Sequence, residues 1–130
     1  MFKIEEIQEA EQRVKSGADF PQFAATLKGM GITRFDVYVI NGLAIYFGEG
    51  DETVEGTPAY ESLLIEPQSS SEELTQALKD HQSGKIDYVT FGRQAASAGV
   101  EKWVVDLKAM NVSYLDSSGN EVLVENISFL

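Results

Sequence analysis

The chain has 130 residues, 43% of them apolar, including seven Phe, five Tyr and one Trp, which is enough for a packed core and too many for a disordered segment. It has no cysteine and a single histidine, His81, which excludes disulfides, thiolate catalysis, Cys-ligated zinc or iron–sulfur sites and multi-histidine metal sites. Ten basic against 21 acidic residues give a net charge of −11, so a free-standing nucleic-acid binder, which needs a basic face to displace counterions, is not expected.

Near the N-terminus, MFKIEEIQEAEQRVK lacks a basic stretch followed by an apolar run, so no signal peptide is expected. No stretch reaches the roughly 18 apolar residues of a membrane span. These features lead to the expectation of a soluble cytoplasmic protein without membrane contact. Its acidity serves solubility, or offers a surface to a basic protein partner.

In chain order, Phe2, Ile4, Ile7, Ala10 and Val14 recur near the helical period, predicting a helix over 2–15 that Ser16-Gly17 ends. Asp19 is placed to cap a second helix, with Pro21 in its first turn and Phe20, Phe23, Ala24 and Leu27 as its apolar stripe. Gly29 and Gly31 stop it. The period then changes to two over 32–40, with Phe35, Val37 and Val39 forming the core-facing side. Asn41-Gly42 predicts a type I′ hairpin turn into a strand from Leu43 to Phe47. Residues 48–60 form a glycine-rich acidic loop, and 61–66 a short strand before Pro67. Its charges do not follow the spacing of a calcium loop.

A second round follows. Ser70 with Glu73 has capping-box spacing and opens a helix to about Gln82, closed by Ser83-Gly84. Asp87 opens another helix through Ala98, with Gly99 as terminator. Val100–Asp106, Val112–Leu115 and Glu121–Val124 are strands, the last two joined by Asp116-Ser117-Ser118-Gly119. Residues 126–130 are an apolar tail that packs on or extends the last strand.

The two rounds align. Gly31 and Gly99 are 68 positions apart, and the same offset pairs Asp19 with Asp87, Phe20 with Tyr88, Phe23 with Phe91, Arg34 with Lys102, Phe35 with Trp103 and Tyr46 with Tyr114. At an offset of 67, Ser16-Gly17 meets Ser83-Gly84. The expected fold is therefore α+β: one domain over 1–130, from an internal duplication of helix-helix-strand-strand over about 1–66 and 67–130. A lone half would carry only a marginal hairpin, whereas two halves can merge their strands into one antiparallel sheet with helices on one face. The junction of the halves is the expected place for a ligand.

The second half also carries a family pattern: His81-Gln82, Gly84, Asp87-Tyr88, Phe91, Ala95-Ala96, Ala98-Gly99-Val100, Trp103, Asp106 and Met110. This resembles a small bacterial and prophage family whose members are called YbcV- or YdfO-like, or "phage envelope protein". The resemblance spans essentially the whole chain and is sharper in the second half. It implies kinship of fold and carries over no activity or catalytic residue.

Candidate chemistry is sparse. His81 could serve as a general base, with Asp80 before it and Asp87 across the turn, or simply satisfy carbonyls at a helix C-terminus. Asp106 lies in the apolar run WVVDL, where a buried carboxylate would be perturbed; alternation instead puts it with Lys102 and Val104, facing solvent or paired with Lys102. Asp36 aligns with Val104 and, like Asp106, has no acidic counterpart. Asp87 reads first as a helix cap. Tyr88 and Trp103 read as core anchors or cleft walls, and Arg34 with Lys102 as a symmetric basic pair that could hold an anion. No phosphate loop, dinucleotide fingerprint or GxSxG elbow is present, and no cofactor or metal is implied. The expectation is a non-enzymatic binding or interaction protein that engages a protein partner or itself. The alternative is a small-molecule binder or acid–base enzyme using His81, Asp87, Asp106, Tyr88 and Trp103.

Overall fold

The computed structural model describes residues 2–14 and 17–127. It is an α+β fold with four α-helices and a six-stranded, open, antiparallel sheet among the described residues. Helix α1 is Ile4–Glu11, α2 Phe20–Gly29, α3 Ser71–Gln82 and α4 Tyr88–Ser97. The strands are β1 Arg34–Tyr38, β2 Leu43–Phe47, β3 Thr53–Glu55, β4 Val100–Asp106, β5 Asn111–Asp116 and β6 Glu121–Asn126. Their order in the sheet is β3-β2-β1-β4-β5-β6, so each run of three strands follows a pair of helices and the runs meet at β1 and β4.

The helices form where apolar residues fall on one stripe, and in α3 and α4 a side-chain cap closes the first turn. Ser70 Oγ accepts the Glu73 amide at 3.2 Å, as the capping box requires, and Asp87 accepts the Thr90 amide at 2.8 Å. Asp19 behaves differently. A 3₁₀ turn over Gly17–Asp19 runs straight into α2, so Asp19 already has helical backbone angles and its side chain makes no capping bond to the helix. Helix α1 ends at Glu11, short of the expected 15; the proposed Ser16 stop lies outside the described residues.

Strand alternation divides the sheet into two faces. Phe35, Val37, Tyr46, Trp103, Val105, Val112 and Tyr114 point to the helices and are buried with Ile7, Leu27, Leu74 and Phe91. The opposite face begins at β1 with Arg34, Asp36 and Tyr38, and pairs them with Phe47, Ile45 and Leu43 on β2 and with Asp106, Val104 and Lys102 on β4.

Three expected connections take another form. Asn41-Gly42 is not a two-residue type I′ turn: only Gly42 has positive φ, at 71°, and the loop spans 39–42 between the paired residues Tyr38 and Leu43. The Gly42 amide bonds to the Tyr38 carbonyl at 2.8 Å, and Asn41 Oδ1 accepts the Leu43 amide at 3.0 Å. The acidic loop contains β3, which pairs with β2 through Ile45, Tyr46 and Phe47. Residues 61–66 form no strand. Their amides reach single carbonyls in different elements, Leu63 to Ile40 at 2.7 Å and Glu66 to Ala96 at 3.0 Å, while Leu63 and Ile65 pack on the core. In the tail, the Ile127 amide bonds to Met110 at 2.8 Å; residues 128–130 lie outside the described residues.

Candidate functional site

Helix α4, capped by Asp87, delivers Tyr88 and Phe91 toward β4 and β5, and the last turn of α3 sets His81 above them. The result is an aromatic cluster. The His81 and Phe91 rings stack at 4.9 Å and 14°. Trp103 meets Phe91 at 5.5 Å, Tyr88 edge-on at 6.3 Å and Tyr114 at 6.1 Å. Tyr60, from the segment between β3 and α3, reaches Tyr88 at 6.5 Å. The tilted and edge-on pairings suit ring quadrupoles. The structure thus brings together His81, Tyr88 and Trp103, three of the residues the sequence singles out.

The cluster is packed rather than hollow. Trp103 is 6% exposed. The Tyr60 hydroxyl donates to the Val39 carbonyl at 2.7 Å, and α4 admits that ring because position 92 is glycine: a Cβ there would lie 2.7 Å from the hydroxyl. Burial pushes the Tyr60 phenol up to about 12. Burial of its hydroxyl end likewise raises Tyr88, although the residue as a whole is 40% exposed, with further contributions from Tyr60 and Glu11. Tyr114 is raised by burial and by Glu125, whose carboxylate its hydroxyl faces at 3.4 Å. Glu125 is itself raised, chiefly by burial. Burial lowers the basicity of His81, and the negative charge of Asp87 opposes that shift in part.

Asp87 and Asp106 both accept hydrogen bonds from backbone amides. Hydrogen bonding to Thr90 at the α4 cap holds the Asp87 carboxyl below its usual range. Asp106 Oδ1 accepts the Lys108 and Ala109 amides at 2.9 and 3.0 Å and so caps the β4–β5 turn, rather than pairing with Lys102. It also lies on the opposite sheet face from Trp103, as strand alternation dictates. The five residues grouped for a single catalytic site are therefore divided between two faces.

Arg34 and Lys102 occupy that other face, and a carboxylate already lies between them. Asp36, which has no acidic counterpart in the second round of the sequence, is 6% exposed, with Arg34 Nε 3.2 Å from Oδ1 and Lys102 Nζ 3.9 Å from Oδ2. The Arg34 approach is poorly aimed, and Oδ1 has no hydrogen-bond donor among the described residues. The Arg34 guanidinium lies 4.1 Å from the centre of the Phe47 ring, and the Lys102 ammonium 5.7 Å from that of Tyr38.

Two shallow recesses lie away from the junction of the halves. One, between α1 and α2, measures about 110 Å³ and is lined by Ala10, Gln22 and Phe23. The other, of about 390 Å³, lies between α3 and β6 beside Leu78, Gln82, Leu123 and Glu125. Among the described residues no His, Cys, Asp and Glu cluster of three or more is placed to hold a metal ion, and no helix is long and apolar enough to cross a membrane.

These features define an α+β protein with one aromatic, helix-covered sheet face and one bare face centred on the buried Asp36 between the exposed Arg34 and the half-buried Lys102. The chain belongs to the family described as a protein of unknown function, DUF1398, whose pattern matches residues 8–126. Comparison with curated proteins finds no match.

Proposed function

We propose that this protein is a non-enzymatic interaction module that binds a protein partner through the bare face of its sheet. The observation that carries this reading is the composition of that face. The solvent side of an antiparallel sheet is normally polar. Here it includes Leu43, Ile45, Phe47, Val104, Leu115 and Val124, the last 47% exposed. Apolar surface left without a covering layer marks an interaction site. The use of Asp87 and Asp106 as backbone caps supports binding over acid–base catalysis.

The same reading includes a duplicated ancestry, supported by the ladder that joins the halves. Asp36 pairs with Val104, its counterpart at an offset of 68, and Phe35 with Val105 and Val37 with Trp103 follow symmetrically. The flanking bonds match too: Val39 donates to Glu101 at 2.9 Å and Leu107 to Thr33 at 2.9 Å. The same reading takes a bacterial or prophage setting, which the resemblance of the sequence to YbcV- and YdfO-like proteins supports, and a cytoplasmic location.

Amine-reactive crosslinking in cell extract tests the reading, because Lys102 lies on the bare face. Crosslinks from Lys102 to a protein, lost in Val104→Glu, are the expected result. A small molecule that stabilises the wild type but not His81→Ala, with no Lys102 crosslink, would overturn it in favour of a ligand site at the aromatic cluster.

A further inference from the structure

We infer that the groove between α3 and β6 binds an extended peptide, which joins the edge of β6 as a further antiparallel strand and carries a basic and, two residues later, an apolar side chain. Strand β6 closes the sheet order on one side. The Ile127 amide bonds to the Met110 carbonyl, so alternation along this antiparallel pair turns the backbones of Leu123 and Glu125 toward β5 and those of Val124 and Asn126 outward. An unpaired strand edge is a template for another strand, and proteins guard such edges with lysine, proline, bulges or inward-pointing charge. From Leu123 to Asn126 there is neither lysine nor proline, and the one irregularity of the pairing comes before Leu123. The guard is Glu125, a charge that disfavours a purely apolar strand and admits one that brings a cation.

The groove opens along that edge. Leu123 and Glu125, on the helix side with Tyr114, line it together with Val124 and Asn126, and its volume is about 390 Å³. Leu78 and Leu123 supply its apolar wall. Glu125 is half-buried, and the groups bonded to it, the Tyr114 hydroxyl at 3.4 Å and the Gln82 side chain, are neutral. No cation pairs with it among the described residues. Lys79, the one cation lining the groove, is exposed, and Glu72 on the same side of α3 and Glu121 on β6 outnumber it. A carboxylate drawn partly out of water gains most from a cation placed beside it. The net charge of −11 attracts the same basic segment from a distance.

Strand geometry then fixes the spacing. Leu123 and Glu125 lie two residues apart on one face, roughly 7 Å. An antiparallel strand opposite them presents its basic residue to Glu125 first and its apolar residue to Leu123 two positions later. Its main chain bonds to Val124 and Asn126, the mode in which edge pairing supplies affinity and alternate side chains supply specificity.

Titration of the isotope-labelled full chain with the peptide TVTKTLTV, followed by amide chemical shifts, is the test. The expected result is a saturable shift of the Val124 and Asn126 amides, half-complete in the high micromolar range. The peptide TVTETLTV, with glutamate for lysine, binds at least tenfold more weakly. Glu125→Gln, which keeps an acceptor for Tyr114, brings the two peptides within about twofold of each other. N-methylation of the peptide's threonines removes the N–H groups that face β6 and abolishes the shift. Circular dichroism establishes that Glu125→Gln is folded, and the N-methylated peptide, which needs no change to the protein, keeps the test decisive if it is not. No shift at β6, or equal shifts with all three peptides, overturns the inference. Shifts confined to the amides around Lys102 and Val104 overturn it as well, and leave the bare face as the one interaction surface.

Discussion

Gly42 and Met110 hold the same place in two hairpins, each closing a four-residue loop with positive φ, 71° and 57° respectively. Left-handed backbone is nearly free for glycine and costs a side-chain-bearing residue about 1 kcal/mol or more. The two loops differ in their surroundings. A Cβ at position 42 would lie 2.8 Å from both Ala59 and Tyr60, whereas the Met110 side chain packs against the core. Gly42→Ala is therefore expected to destabilise the fold by about 2 kcal/mol, read as a lower urea midpoint with unchanged slope. An unchanged midpoint would mean that the segment around Tyr60 yields freely.

Asp106 offers a direct separation of structural from chemical roles. Asp106→Ala frees two turn amides and should cost about 1 kcal/mol, while Asp106→Asn, which keeps an acceptor, should cost much less. Chemical denaturation of the two variants checks this. Equal losses would show that the carboxylate charge, rather than its hydrogen bonding, matters.

His81 ties stability to mild acid. Its folded-state basicity is lowered by burial, so the unfolded chain takes up a proton first as pH falls. His81's contribution to stability is full above the ordinary histidine range near 6.5 and is lost as pH drops from there through the lower folded value. Denaturation at a series of pH values should show this loss in the wild type and a shallower one in His81→Phe. Glu125, raised by burial, acts with the opposite sign, losing stability as pH rises through the carboxylate range, so the difference between wild type and variant is the quantity to read.

At alkaline pH the phenols take over. Tyr60 titrates near 12 in the folded chain against 10 for an ordinary tyrosine. Its contribution is intact below 10 and lost between about 10 and 12 as the unfolded chain releases its proton first. Tyr46, Tyr88 and Tyr114 are raised too, so the fall in stability over this range should be steep. Tyr60→Phe should soften it, and should cost about 1 kcal/mol at neutral pH through the lost bond to Val39. Ultraviolet titration of the phenols alongside denaturation measures both.

Much of the fold was legible because local rules and packing agree. The alternation of Phe35, Val37 and Val39, the caps at Ser70 and Asp87, and the stop at Gly99 all survive in the structure. Where they fail, a tertiary partner decides. Leu63 and Ile65 alternate like a strand, but their backbone has no neighbouring strand to pair with and runs between β1 and α4 instead. Residues 53–55 carry two exposed polar side chains around Val54 and become a strand only because β2 has a free edge. The site divides in the same way. Helix and strand spacing is enough to gather His81, Tyr88 and Trp103. The burial of Asp36 depends on which face the helices leave bare, and nothing local in Arg34-Phe35-Asp36 distinguishes it from a solvated acid.

The β1–β4 ladder also bears on how the molecule folds. The pairs β1–β2 and β4–β5 are hairpins closed by four-residue loops, which a chain forms at small entropic cost. Asp36 and Val104, by contrast, must meet across 68 positions. Non-local pairings of this kind slow folding. The two hairpins are therefore expected to form first, and the closing of the β1–β4 ladder is expected to be the slow step.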